Sequence, residues 1–132
     1  MAMNEKVIKN WITLAEYDFE TAKKMLETGR YLYVAFTCQQ AIEKILKAIF
    51  VKEKGITPPY TYNLIKLSES ITISSSIDKD KNVLLEDLNS YYIESRYAEE
   101  IEELSRSLTP KRAKEMFSKT EEMFLWLKNL IQ

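Results

Sequence analysis

The sequence predicts an all-α fold, an antiparallel up-and-down bundle of four to five helices. Three observations predict it. Apolar residues recur at helical spacing over long stretches instead of alternating. Two glycines and three prolines in 132 residues are too few for a chain rich in turns. Hydrophobic residues make up 45% and charged residues 30%, which is a globular balance and not a disordered one. The length fits one domain, residues 1–132, and is enough to bury a core without disulfides.

The first helix is expected over Asn4–Glu27. Trp11, Leu14, Ala15, Phe19, Ala22, Met25 and Leu26 form its apolar face, which only Asp18 interrupts. Gly29 supplies the stop, because it tolerates the left-handed conformation that closes helices. The second helix, Tyr31–Lys54, carries a wide stripe from Val34 to Phe50, so it is expected to be central. Gly55 closes it, and Pro58-Pro59 forbids continuation. A shorter helix is expected from Thr61 to about Ser74, with Leu64, Leu67 and Ile71 on one side and the serine run as its breaker. Asp78 is placed to cap a fourth helix carrying Val83, Leu84, Leu88 and Tyr91 or Tyr92. Glu94–Ser107 reads either as a loop or as a continued helix. Thr109-Pro110 opens the last helix with a capping hydroxyl and a proline at the first helical position. Its face, Ala113 to Ile131, is long and amphipathic.

Composition removes several function classes. The formal net charge is −1, from 19 basic and 20 acidic side chains, so no global field attracts nucleic acid. Cys38 is the one cysteine and lies in an apolar stripe, where a buried small hydrophobe is expected. No signal peptide and no membrane-length apolar run is visible, and the expected location is the cytoplasm. Histidine is absent, which removes the commonest general base and metal ligand. No metal site and no cofactor is expected. The two glycines stand alone at helix ends, so no phosphate-cradling loop exists.

Two constellations carry chemistry. At ~100° per residue, Gln40, Glu43, Lys44 and Lys47 fall on one side of the second helix, opposite its apolar set. One reading is a solvated face, supported by a Glu43–Lys47 pair at i,i+4. The other is a recognition strip, with lysines meeting phosphate as point charges and Gln40 and Glu43 meeting polar groups of a ligand or partner. Arg96 stands among Tyr91, Tyr92 and Tyr97. It reads either as an exposed arginine paired with Glu94, Glu99 or Glu100, or as a phosphate grip with tyrosines for stacking. A continued helix would set Tyr92 and Arg96 at i,i+4.

Several segments, taken in order, resemble the HEPN domain. They are Trp11…Ala15-Glu16-Tyr17-Asp18-Phe19…Ala22, Gly29-Arg30-Tyr31…Ala35-Phe36, Gln39-Gln40-Ala41-Ile42-Glu43-Lys44-Ile45-Leu46-Lys47-Ala48, Pro58…Thr61-Tyr62-Asn63-Leu64 and Arg96-Tyr97. The Gln-Ala-x-Glu-Lys-x-Leu-Lys-Ala block is the most specific. The resemblance implies an up-and-down bundle. It also implies homodimers, or pairing with a minimal nucleotidyltransferase in a toxin–antitoxin-like module, with nucleotide binding and in some branches RNA cleavage.

The chain departs from the family pattern at three places. Tyr62 stands where the family often has histidine. Ala98 follows Arg96-Tyr97 where proline is common, which would let the fourth helix run on. HEPN ribonucleases carry Arg, four to six residues, then His. From Arg96 those positions are Ile101, Glu102 and Glu103, and none of Arg30, Arg106 or Arg112 is followed by histidine at that spacing. A metal-free ribonuclease needs a base for the 2′-hydroxyl proton, and this chain has no imidazole for it. The expectation is a non-catalytic HEPN protein. It would bind a nucleotide or a nucleotidyltransferase through Gln40, Glu43, Lys44, Lys47, Arg96 and Tyr97. The alternatives are an atypical ribonuclease and a purely structural homodimer.

Overall fold

A computed structural model describes residues 2–131. Six α-helices are present among them, with no strand: α1 (Ala2–Glu27), α2 (Tyr31–Lys54), α3 (Leu64–Glu69), α4 (Lys79–Asn89), α5 (Ala98–Ser107) and α6 (Pro110–Ile131). The molecule is an all-α helical bundle. The count exceeds the expected four to five because the segment after α4 forms its own helix.

The turn between α1 and α2 follows from Gly29. Its φ is +78°, and the Arg30 N–H donates to the Met25 carbonyl at 2.8 Å. That bond satisfies a carbonyl left open at the helix end and folds α2 back along α1. Gly55, at φ +71°, closes α2 by donating its N–H to Val51. Fifteen of the 24 residues of α2 are buried, so neighbours cover most of its circumference. Val34, Cys38, Ile42, Ile45, Leu46 and Ile49 form the centre of the core. Phe19 of α1 stacks on Phe124 and Phe117 of α6, with ring centroids 4.8 and 5.3 Å apart.

Three local expectations need correction. The third helix starts at Leu64 and not at Thr61, because the Asn63 side chain accepts from the Ile65 and Lys66 N–H groups and fixes the cap there. It also ends early. Ile71 is extended and buried, and Thr72–Ser76 forms a 3-10 turn in place of further α-helix. The fourth helix does not reach Arg96. Tyr91 turns into the core at 2% exposure, Ile93–Ser95 form a short 3-10 turn, and Arg96 and Tyr97 are extended. Tyr92 and Arg96 therefore do not share a helix turn. Val83, expected on the buried side of the fourth helix, is 46% exposed. Asp78 and Thr109 do cap α4 and α6, accepting from the Lys81 and Arg112 N–H groups. No helix among the described residues is long and apolar enough to cross a membrane.

Candidate functional site

The polar strip of α2 is not a solvated face along its length. Glu43 and Lys47 are each only 8% exposed, and Gln39, one position before the strip, is fully buried. Burial of such groups is tolerated when their hydrogen bonds are made. Here they form a chain. Gln39 donates to the Tyr62 carbonyl at 2.9 Å and to Glu43 Oε1 at 3.2 Å. Gln40 donates to Gln39 Oε1 at 2.7 Å and to Glu43 Oε1 at 3.4 Å. Lys47 Nζ donates to Glu43 Oε2 at 3.1 Å and lies 5.5 Å from the centre of the Trp11 ring. One network thus links α1, α2 and the segment before α3.

Lys44 belongs to a second contact. Its ammonium pairs with Asp18 of α1, each side chain about a fifth exposed. This explains the one polar residue on the apolar face of α1. It faces a lysine of α2 and not the core.

The network ends at an aromatic pair. The Tyr62 ring stacks on Tyr92 with centroids 3.9 Å apart and planes 3° from parallel. Phe36 of α2 packs against Tyr92 at 6.0 Å. Burial pushes the Tyr92 hydroxyl up to about 12, and Glu94, which accepts its hydrogen bond, adds to the shift. Tyr92 is therefore a neutral donor and stacking surface at physiological pH.

Arg96 is anchored away from this network. Nη1 pairs with Glu100 at 3.3 Å, and Nη2 donates to the Ser90 carbonyl at 3.3 Å. Its Nε is buried without a hydrogen-bond partner among the described residues. Tyr97 is 81% exposed at the start of α5. The structure thus joins Gln40, Glu43 and Lys47 directly and sets Lys44 beside them. It leaves Arg96 on the α4–α5 connection and Tyr97 in solvent. The helical wheel shows the strip but not its partners Gln39, Tyr62 and Asp18. Only the i,i+4 spacing of Gln39 and Glu43 pointed to any of them.

Beside the strip, α1 leaves apolar side chains uncovered. Val7 is 39%, Leu14 41% and Tyr17 73% exposed. At ~100° per residue, Val7 and Leu14 lie on the same side of α1 as Trp11 and Asp18, the residues that touch Lys47 and Lys44. An apolar stripe and a polar strip therefore run next to each other on one face. Glu102, at one of the positions where the ribonuclease spacing from Arg96 would put histidine, is exposed and 4.0 Å from Arg106. Among the described residues no three His, Cys, Asp or Glu side chains gather as metal ligands.

No curated protein sequence matches this chain. The crystal structure of TT1696 from Thermus thermophilus is similar in fold, with a TM-score of 0.77. The likeness covers 92% of this chain and 96% of that one at 20% identity, so it speaks to the fold alone. The HEPN domain family model matches residues 8–130, and the chain belongs to that family.

Proposed function

We propose that this chain is a non-catalytic HEPN protein that holds a minimal nucleotidyltransferase partner, a nucleotide, or both, as one half of a toxin–antitoxin-like module. The observation that carries this reading is the Gln39–Gln40–Glu43–Lys47 network, buried except at Gln40, lying beside the exposed Val7 and Leu14 of α1. A buried ion pair is poor support for stability, since well-packed apolar side chains of the same size serve as well or better. Its presence on the central helix fits a device that fixes Gln40, the half-buried end of the network, in one orientation. Apolar side chains left in solvent next to it fit a partner that covers them. Tyr62 is 43% exposed and is a ring of the kind that stacks on bases.

The non-catalytic part rests on chemistry. The 132 residues contain no histidine, and no arginine starts the ribonuclease spacing.

The test is direct. The protein is mixed with a minimal nucleotidyltransferase from the same genome and run on gel filtration, and ATP is titrated by calorimetry. A co-eluting complex or saturable heat, weakened at least about tenfold by Lys44→Ala or Gln40→Ala, is expected (about 1.4 kcal/mol of binding). No complex and no heat with any nucleotide would overturn the reading. Incubation with RNA covers the remaining branch: cleavage abolished by Arg96→Ala would make the chain an enzyme.

A further inference from the structure

A second surface lies between α4 and α6 and uses none of the residues of the α2 strip or the α1 stripe. The two helices leave a groove with a cavity of about 530 Å³, its floor made by Val83, Leu84, Met123 and Trp126. It continues as a smaller recess over Met116, between Asp87 and Arg112. Val83 stands 46% exposed in the middle of it. Leu84, Met116 and Met123 beneath it are nearly buried, so Val83 and the half-buried Trp126 are the apolar side chains the groove leaves for a partner.

The walls carry charge, and its sign is uneven. Asp78, Asp80, Asp87, Glu115 and Glu122 line the groove against Lys81, Arg112 and Lys119. Lys81 is already paired with Asp78 at 3.2 Å. Among the described residues none of the other carboxylates here is in an ion pair. The groove therefore has acidic groups in excess. The Lys81 ammonium also lies 4.7 Å from the centre of the Trp126 ring. The indole face at the end of the groove thus already holds a cation.

We infer that this groove is a docking site for a basic amphipathic helix of a partner protein. Its apolar ridge would lie along Val83 and the half-buried Trp126, and its Lys or Arg flanks would meet Asp80, Asp87 and Glu122. The line of α6 residues from Arg112 to Trp126 is ~21 Å long at 1.5 Å per residue, room for a helix of about four turns. Apolar anchors one turn apart in a groove, with charges on the flanks, are the general pattern of helix-in-groove recognition.

The experiment uses the full chain, ¹⁵N-labelled, and two synthetic helical peptides with the same leucine face. One has lysine flanks and the other glutamate flanks. The lysine peptide is expected to bind saturably and to shift the amides of Val83, Lys119 and Met123 and the Trp126 indole. The glutamate peptide is expected to bind at least about tenfold more weakly. Val83→Lys, a change at a half-exposed position, is expected to abolish the shifts while the rest of the spectrum stays folded. If that variant fails to fold, Asp80→Asn/Asp87→Asn takes its place and is expected to weaken the lysine peptide several-fold. Equal binding of the two peptides would overturn the inference. So would shifts that fall on α1 and α2, or a substituted groove that still binds as the wild type does. Concentration-dependent self-association that disappears in Val83→Lys would also overturn it, because a second copy would then be the occupant. Loss of the nucleotidyltransferase interaction would leave these results unchanged, since no groove residue belongs to the α2 strip.

Discussion

Glu43 and Lys47 sit at 8% exposure on the central helix, where apolar side chains would pack at least as well. This separates stability from function in a measurable way. Glu43→Met alone leaves Lys47 buried without its carboxylate and removes one of the two acceptors of each of Gln39 and Gln40. Its expected cost is about 3–5 kcal/mol in urea denaturation. Glu43→Met/Lys47→Met removes both charges and is expected to lie within about 1–2 kcal/mol of the wild type. A double variant as unstable as the single one would mean that the network is needed for the fold itself. Cys38 gives a second prediction. Burial pushes its thiol from 9.0 up to about 12, so the native state keeps the proton longer than the unfolded chain does. The contribution is therefore complete below pH 9 and declines as pH rises from 9 towards 12. At pH 8 a thiol reagent is expected to modify Cys38 only at the rate of global unfolding. Fast modification in native buffer would contradict its burial.

At the scale of elements, the start of α3 is set by a side-chain cap as well as by the burial of Leu64 and Leu67. Asn63 accepts from two N–H groups of α3, and Asn89 of α4 both donates to Asn63 and accepts from the Leu64 N–H. Asn63→Ala is expected to cost about 1–2 kcal/mol in chemical denaturation. It would also loosen Tyr62, the residue whose carbonyl holds Gln39. α5 has no buried residue and is fixed by the Tyr91–Ser107 bond, the Arg96–Glu100 pair and the flanking Leu108. Its amides are expected to exchange faster than those of α2 by orders of magnitude, as read by hydrogen exchange. Long helices were legible in the sequence because their periodicity runs for six turns or more. α2 was placed at Tyr31–Lys54, its observed limits. The Thr61–Ser107 stretch was not so legible. Its boundaries are set by Asn63 pairing with Asn89 and by Tyr91 entering the core, contacts between residues far apart in sequence. The same reason hid part of the candidate site. The polar strip could be seen on a helical wheel. Its burial, and its links to Tyr62, Trp11 and Asp18, come from packing that no single helix encodes.

At the scale of the molecule, α2 divides its circumference between two tasks. Most of it is core, and the remainder carries a hydrogen-bonded polar strip flanked by the uncovered apolar stripe of α1. A second surface, between α4 and α6, is built separately and carries an acidic excess. The family membership and the fold explain the scaffold. The use of the strip is the central claim, and binding by the Glu43→Met/Lys47→Met double variant tests it most directly. Calorimetry with the nucleotidyltransferase partner and with ATP should show binding by the wild type. It should show a loss of at least about a hundredfold in the double variant, while the variant's melting curve stays close to that of the wild type (about 2.7 kcal/mol of binding). Equal affinity in a folded double variant, or no binding by the wild type to either, would contradict the account.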